Sequence, residues 1–322
     1  MRKNVLDVKD LEVSFSSQSG RIKVVEKVSF HIAEGEVLGL VGESGCGKSV
    51  TAMSLVSLLP SPPSFIEGGS IKLLSDEIIN LSAKELQKIR GTQVGFIFQE
   101  PMSSLNPLLS VGYQLEEALL LHSARSKKDR AAAKSKALEM LNLVGVGDPE
   151  LRFSQYPHQL SGGMRQRVMI AMALMCSPKL LIADEPTTAL DVTIQAQILD
   201  LLNDLREKLG MSILMITHDL GVVAETCHRV LVMYAGRIIE SGPVAEVFAS
   251  PKHPYTKALI ASSPRGAIHQ SELPTIPGMV LAPEERGVGC NFAARCPLAT
   301  QKCNDERPAI TMEVHSVECW HA

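Results

Sequence analysis

Residues 42–49 read Gly-Glu-Ser-Gly-Cys-Gly-Lys-Ser and match the phosphate-binding pattern G-x-x-x-x-G-K-[ST]. An apolar run at 36–41 precedes this loop and predicts a buried strand, and residues 50–56 after it suit a helix. A strand, a glycine-rich turn and a helix start are the context that the pattern requires. A chance glycine-rich turn is the alternative, and both flanking elements argue against it. The stretch therefore predicts a nucleotide-binding α/β fold.

The chemistry of this loop follows from its residue types. Glycines let backbone N–H groups curl around phosphate oxygens, and the helix N-terminus adds partial positive charge. We expect Lys48 to reach the β- and γ-phosphates and the Ser49 hydroxyl to hold Mg²⁺. The predicted nucleotide contacts in this stretch are Gly42, Glu43, Ser44, Gly45, Cys46, Gly47, Lys48, Ser49 and Val50.

The composition narrows the class of protein. The chain has 322 residues, of which 45% are hydrophobic and 21% charged, so it can form a packed α/β domain with an appendage. Its net charge of −3 does not favour a nucleic-acid binder. The first residues meet charge too soon for a signal peptide, and the longest apolar run, 168–176, is too short to span a bilayer. We therefore expect any work at a membrane to go through a partner.

Polar groups follow several predicted strands. Buried strands are predicted at 36–41, 94–98, 179–183 and 212–216. Strands that alternate with helices imply a mostly parallel sheet, which binds ligands at the carboxyl ends of its strands. The phosphate loop, Gln99, Asp184-Glu185 and His218 each follow one of these strands. We expect them to surround one nucleotide.

Each of these side chains has a predicted role. Asp184 ends an apolar strand, as does the Mg²⁺-holding carboxylate of nucleoside triphosphatases. Glu185 follows it and is the candidate general base that polarises the attacking water. Gln99 is a candidate Mg²⁺ or water contact, and His218 a candidate donor to the γ-phosphate. Two adjacent acids also occur in turns and at helix starts, and a single Gln or His after a strand is usually structural.

Other stretches predict ordinary elements. We expect a helix capped by Ser82 with Glu85, a helix that ends at Gly145, a helix from 194 to 209, and a hairpin of 230–234 with 237–241. Residues 65–90 are predicted to be rich in loops, with a short strand at 70–74.

A second glycine-rich stretch, Leu160-Ser161-Gly162-Gly163-Met164, precedes a predicted helix. Ser161 and the two glycines form another anion-binding element, although a plain helix cap would look the same. One nucleotide does not need two phosphate cradles in one chain. The simplest interpretation is that this stretch serves the γ-phosphate held by a second subunit.

Together, these motifs resemble those of the nucleotide-binding subunit of an ATP-binding cassette (ABC) transporter, over residues 5 to about 322. The resemblance identifies a Walker A loop at 42–49, a Q-loop glutamine at Gln99, the signature LSGG at 160–163, a Walker B strand at 180–184 with Glu185, a D-loop at 189–191 and a switch histidine at His218. One departure is Met164, where the signature usually has Gln. That position varies enough in the family that it does not imply loss of activity.

The resemblance implies a fold and a dimer. The fold is a P-loop NTPase cassette over 1–250: a RecA-like core with a mostly parallel sheet, an antiparallel β subdomain, and a helical subdomain at about 100–178. A loop-rich extension follows over 251–322. Two cassettes would bind two ATP molecules head to tail, each between one Walker A loop and the other subunit's signature, with Asp191 of the D-loop also near the nucleotide. Phe15 holds the position of the aromatic residue that stacks on adenine, and core packing is its alternative.

Two stretches narrow the subfamily. Residues 99–107 (Gln-Glu-Pro-Met-Ser-Ser-Leu-Asn-Pro) and 253–256 (His-Pro-Tyr-Thr) resemble peptide and nickel importers. The resemblance implies an ATPase that powers import of di- or oligopeptides, with nickel or another solute as the alternative. Its partners would be a second ATPase subunit in a heterodimer, two transmembrane permeases and an extracytoplasmic peptide-binding protein, which would place it at the cytoplasmic face of the membrane.

Two rival classes of function remain open. A soluble cassette ATPase acting on nucleic acid or ribosomes usually carries two cassettes, and this chain has one. A redox sensor with a vestigial ATPase conflicts with the intact Asp184, Glu185 and His218.

Four cysteines cluster near the end of the chain: Cys290, Cys296, Cys303 and Cys319. The tail that holds them, from Gly289 to Pro297 and beyond, is similar to the tail of dipeptide and oligopeptide ATPases, where four cysteines are associated with a [4Fe–4S] cluster. From the residues alone, four thiolates suit zinc or an iron–sulfur cluster, and the absence of C-x-x-C pairs favours the cluster. Spare ligands at His315 and His321 keep zinc open, as does the simpler case of unliganded thiols.

Overall fold

A computed structural model describes residues 3–18, 20–99, 104–122, 126–188, 190–263, 274–311 and 313–322. The chain forms two compact units: Met1–Asn80 with Leu214–Ala322, and Leu81–Ile213. The strands are β1 (Asn4–Ser17), β2 (Gly20–Ala33), β3 (Val37–Val41), β4 (Ser64–Leu73), β5 (Asp76–Glu77), β6 (Val94–Ile97), β7 (Leu180–Asp184), β8 (Ser212–Ile216), β9 (Arg229–Tyr234), β10 (Arg237–Pro243) and β11 (Ser316–Val317).

Both units contain helices. In chain order they are α1 (Lys48–Ser54), α2 (Ala83–Ile89), α3 (Val111–Leu120), α4 (Lys127–Leu143), α5 (Pro149–Ser154), α6 (Gly162–Leu174), α7 (Val192–Leu209), α8 (Leu220–Thr226), α9 (Val244–Ala249), α10 (Pro254–Ala261) and α11 (Gln301–Asp305). Short 3₁₀ turns lie at Pro157–Gln159, Pro283–Glu285 and Ala293–Arg295. No helix within the described ranges combines the length and the apolar character needed to cross a bilayer.

The first unit contains the predicted antiparallel β subdomain, in the order β2-β1-β4-β5. Alternate residues such as Leu11 and Val13 of β1 face its core and are fully buried. The prediction of loop at 65–69 was wrong, because β4 begins at Ser64 and continues through Gly68-Gly69 into the strand that was predicted at 70–74. Gly69 (φ 99°) makes this continuation possible: a Cβ there would lie 2.5 Å from the Lys9 carbonyl of β1.

The main-sheet strands of the first unit run in the order β11-β10-β9-β3-β8. β3 and β9 are parallel, with Leu40 opposite Leu231. β9 and β10 form the predicted hairpin around Ala235-Gly236, whose φ angles of 41° and 83° suit a tight turn between twisted strands. β11 adds a second antiparallel pair. The sheet is therefore mixed, with antiparallel strands joined to the predicted parallel ones.

In the second unit, β6 and β7 are parallel and nearly all their residues are buried. The predicted capping box of Ser82 and Glu85 starts α2. α4 ends before Gly145 (φ 72°), and α7 ends at Gly210 (φ 61°), both as predicted.

Candidate nucleotide-binding site

The phosphate loop leaves β3 and enters α1. Gly42 and Gly47 have φ angles of 154° and 110°. A Cβ on Gly42 would lie 2.2 Å from the Met233 carbonyl oxygen of β9, and one on Gly47 would lie 3.1 Å from the Met233 methyl group. The loop is therefore packed directly onto β9, and glycine is required at these two positions by both space and backbone angle.

Lys48 lies inside the loop and is 5% exposed. Its Nζ donates to the carbonyl oxygens of Gly42, at 2.8 Å, and of Glu43, at 3.1 Å. The Cys46 thiol beside it is buried, and that burial raises its pKa. The ammonium group thus has a fixed position set by the first two carbonyls of the loop. Ser49 and Val50 are half-buried, and Ser44 is exposed.

Glu43 is held by residues far along the chain. Its main-chain N–H donates to the Tyr255 hydroxyl at 2.9 Å, and its carboxylate accepts from Arg295 Nη1 at 3.1 and 3.2 Å. Burial raises the pKa of Tyr255, so its hydroxyl remains protonated. Sequence reasoning missed both contacts. It had singled out the stretches around Tyr255 and Arg295, but only by family resemblance.

In the second unit, two predicted residues meet. Glu185 follows β7 with a φ of 48°, which is uncommon for a residue with a side chain and typical of functional turns. Its Oε2 accepts from Gln99 Nε2 at 3.0 Å and from Thr188 Oγ1 at 2.8 Å. Asp184, at the end of β7, is 5% exposed. Sequence reasoning had not identified Thr188, which carries no motif of its own.

The signature residues begin α6. Ser161 caps this helix by accepting from the Met164 N–H at 3.3 Å, and a Cβ on Gly162 would meet no atom within 4 Å. The start of the helix at Ser161 and Gly162 is therefore exposed, whereas a Cβ on Gly163 would lie 3.1 Å from the Ile194 side chain. One turn later, the buried Gln166 donates to the Pro186 carbonyl, which ties α6 to the segment after Glu185.

Asp191, His218 and Phe15 are the remaining residues predicted to contact the nucleotide. Asp191 caps α7 by accepting from the Ile194 N–H at 2.9 Å, and its neighbour Ala189 lies outside the described residues, as do 100–103 of the Q-loop stretch. His218 follows β8 and is exposed. Phe15 is half-buried on β1, opposite Ile22 of β2. Their roles toward a nucleotide stay predictions.

The four clustered cysteines line one small cavity, together with Phe292 and His321 among others. Cys303 Sγ is 3.6 Å from His321 Nε2, and the Cys290 N–H donates to the Cys303 carbonyl at 2.8 Å. Burial raises the pKa of Cys290 to about 11 and also raises those of Cys296 and Cys319. Among the described residues, no group of three or more His, Cys, Asp or Glu side chains is arranged to hold a metal ion. The four thiols thus share one cavity, and a metal centre there stays a prediction.

Comparison with known families agrees with this geometry. The family model for ABC transporters matches residues 25–188. The chain belongs to the ABC transporter family. A second model, for the C-terminal region of oligopeptide/dipeptide transporters, matches residues 239–303 and so includes Tyr255 and Arg295. Within the family, the chain is an ATP-binding protein of the dipeptide/oligopeptide importer type.

Related ABC proteins align along nearly the whole chain. A probable peptide ABC transporter ATP-binding protein of Sinorhizobium fredii, y4tR, is 52% identical over 99% of this chain and 95% of its own length. The dipeptide transport ATP-binding protein DppD of Bacillus subtilis is 50% identical over 98% of this chain and 94% of its own. The oligopeptide transport ATP-binding protein OppD of the same species is 49% identical over 98% of this chain and 88% of its own.

Solved ABC cassettes share the fold. The dimeric post-hydrolysis structure of the cassette MJ0796, bound to ADP and phosphate, is 29% identical, with a TM-score of 0.65 over 74% of this chain and 98% of that chain. The cassette cbiO1 from Clostridium perfringens, part of the cbiONQ complex, is 29% identical, with a TM-score of 0.65 over 77% of this chain and 92% of its own.

Proposed function

We propose that this chain hydrolyses ATP and couples the reaction to uptake of dipeptides or oligopeptides by a membrane importer. The carboxylate of Glu185, held by Gln99 and Thr188 at the end of β7, is the observation that carries the hydrolytic role. The match of residues 239–303 to the oligopeptide/dipeptide transporter region supports the peptide substrate.

The reaction assigns one task to each side chain. Glu185 takes a proton from a water molecule, whose oxygen then bonds to the γ-phosphorus as the bond to the β–γ bridging oxygen breaks. ADP and phosphate leave, and Glu185 returns its proton to solvent. Lys48 balances phosphate charge from its fixed position in the loop. His218 would donate to the γ-phosphate, and Phe15 would stack on adenine.

Mg²⁺ belongs to this reaction. The loop serine and the two residues at strand ends offer oxygen donors of the type that Mg²⁺ prefers, and Asp184 is a buried carboxylate. We assign Mg²⁺ to Ser49, Gln99 and Asp184 on the family resemblance. The bound ion would neutralise charge on the phosphate oxygens.

A second cassette completes the site in this proposal. Ser161, Gly162 and Gly163 would close over the γ-phosphate held by the partner, with Asp191 near the interface. The exposed start of α6, at Ser161 and Gly162, is consistent with that use. The partner would be a second ATPase subunit in a heterodimer, and the pair would work with two permeases and an extracytoplasmic peptide-binding protein at the cytoplasmic face of the membrane. Residues 1–250 would form the cassette, with its helical part at about 100–178, and residues 251–322 the extension.

We also propose that Cys290, Cys296, Cys303 and Cys319 bind a [4Fe–4S] cluster, with zinc as the alternative. The shared cavity supports a thiolate centre, and the nearby His321 keeps zinc open. The centre would have a structural or sensing role, such as fixing the tail, and has no part in hydrolysis. Iron and acid-labile sulfide assays on anaerobically purified chain test this: both present supports the cluster, zinc alone supports the alternative, and no metal refutes both.

Reconstitution tests the transport function. The chain is co-purified with its neighbouring subunits, the complex is placed in lipid vesicles, and ATP-driven uptake of labelled dipeptides and oligopeptides is measured. Peptide uptake that depends on ATP supports the proposal. Uptake of nickel alone would identify a nickel importer, and co-purification with ribosomes or DNA in place of permeases would refute the transport function.

A further inference from the structure

Arg295 connects the cysteine-lined cavity to the phosphate loop. It directly precedes Cys296, and its side chain is 7% exposed. Its Nε donates to the Pro277 carbonyl at 2.8 Å, and its Nη2 donates to the Ile276 carbonyl at 3.2 Å. These two bonds fix the plane of the guanidinium group, because a planar fork held on one edge presents its other edge in one direction. The remaining nitrogen, Nη1, faces Glu43.

An aromatic cluster packs beside this connection. Phe292 lines the cysteine cavity and packs against Tyr255, with ring centroids 5.4 Å apart. Tyr255 packs against Tyr234 at 4.7 Å, and Tyr234 accepts a hydrogen bond from Arg295 at 3.3 Å. All three aromatic residues are buried. A continuous, close-packed path therefore leads from the cavity to the main-chain N–H of Glu43, through Tyr255, and to its carboxylate, through Arg295.

We propose that Arg295 is a positioning residue for the phosphate loop, through which the tail around the cysteine cavity sets the affinity for ATP. The inference rests on ATP binding at this loop, and it needs no metal in the cavity. Arg295 and Tyr255 fix Glu43, and the carbonyls of Gly42 and Glu43 fix the Lys48 ammonium. Once released from Arg295, the loop must lose more conformational freedom on binding phosphate, so ATP binds more weakly.

ATP affinity of the full-length chain measures this role. Wild-type chain is titrated first with a fluorescent ATP analogue and Mg²⁺; a failure to bind would refute the proposed function rather than this inference. We expect Arg295→Gln to raise the Kd about fivefold, the lower end of typical coupling between two sites. Arg295→Lys keeps the positive charge but loses the planar guanidinium group, so its Kd should lie between those of the wild-type chain and Arg295→Gln.

Arg307→Gln is the matched control. Arg307 also anchors the tail through an ion pair, to Glu26 at 2.9 Å, but it does not contact the phosphate loop in the described structure. We expect both glutamine variants to lower the melting temperature and only Arg295→Gln to weaken ATP binding. Equal weakening in both, or an unchanged Kd in Arg295→Gln, would overturn the proposal.

Two further measurements test the connection itself. If Arg295 acts through Glu43, Glu43→Gln should weaken ATP binding as much as Arg295→Gln, and the double variant should be no weaker than either. If the cavity acts through Arg295, Cys296→Ser should raise the Kd in the wild-type background and leave it unchanged in Arg295→Gln. Additive effects in either pair would show that the residues act separately and would refute the connection.

Discussion

Replacing Glu185 with glutamine separates the chemistry of this site from its geometry. In the structure, a single oxygen of Glu185, Oε2, accepts from both Gln99 and Thr188. Glutamine keeps one such oxygen, so both hydrogen bonds survive the substitution. The other oxygen is replaced by the amide NH₂ group, which cannot take a proton from water. The variant therefore removes the base and keeps these two hydrogen bonds.

The size of the effect follows from these two roles. A positioned general base contributes about 10²- to 10⁴-fold to a rate, so Glu185→Gln should lower kcat by that factor while ATP still binds. Thr188→Val removes one of the two donors that orient the carboxylate. A hydrogen bond to a charged group is worth about 1.5–3 kcal/mol when buried. At this partly exposed site we expect about 1 kcal/mol, or roughly fivefold in kcat.

Phosphate release from the assembled importer at saturating ATP measures kcat, and binding of a fluorescent ATP analogue measures the Kd. Glu185→Gln and the double variant with Thr188→Val should have the same residual rate, because Thr188 acts only through the carboxylate. Glu185→Ala removes the base and both hydrogen bonds, so comparing its rate with that of Glu185→Gln measures the contribution of the hydrogen bonds alone. Full turnover in Glu185→Gln would refute the general-base assignment. A further fivefold loss in the double variant would show that Thr188 acts elsewhere.

Three other predictions concern the first unit. Gly42→Ala would place a methyl group 2.2 Å from a carbonyl oxygen of β9, so ATP binding should weaken at least about tenfold. Its control is Gly45→Ala, whose methyl group would meet no atom within 4 Å and should cost only about 1 kcal/mol of stability through backbone strain. ATP titration and thermal melts of both variants test this difference. Glu240→Gln should cost about 2–4 kcal/mol in urea unfolding, because the fully buried carboxylate accepts from two main-chain N–H groups and from His315 at 2.7 Å; unchanged stability would contradict this. Burial lowers the pKa of His253 from 6.5 to about 4, so the unfolded chain takes up this proton at a higher pH than the folded chain does. The free energy of unfolding should therefore fall as the pH drops from 6.5 toward 4, by up to about 1.4 kcal/mol per pH unit. His253→Gln should flatten that slope in unfolding curves measured across this pH range.

The local elements were predictable because their causes are local. The capping box at Ser82, the glycine that ends α7 and the turn at Ala235-Gly236 each depend on residues within a few positions of one another. The same holds for the phosphate loop, whose motif includes its own turn residues. Even so, a local rule failed at β4, where Gly68-Gly69 was interpreted as loop. There, pairing with β1 stabilises the extended conformation, and the sequence around Gly68-Gly69 does not predict that pairing.

The contacts that complete the site could not be derived in this way. The pairs of Glu43 with Tyr255 and Arg295 join positions 212 and 252 residues apart. A charge pair at such a separation has no periodicity or spacing that would identify it. Family resemblance singled out both stretches without giving their partners. Thr188 was missed for a different reason: a threonine in a turn after a strand is common, and only its hydrogen bond to Glu185 distinguishes it.

The C-terminal region is part of the same hydrophobic core as β9. Tyr255 and Phe292 are buried against Tyr234, and Val247 of α9 belongs to the same cluster. A boundary near residue 250 follows a change in composition, where prolines become frequent and periodicity weakens. A cavity between packed aromatic rings costs several kcal/mol, however, so the side chains beyond that boundary stabilise the strand on which the phosphate loop rests. The packing of the tail therefore stabilises the strand beneath the phosphate loop, while the hydrogen bonds of Arg295 to Glu43 connect the tail to the loop itself.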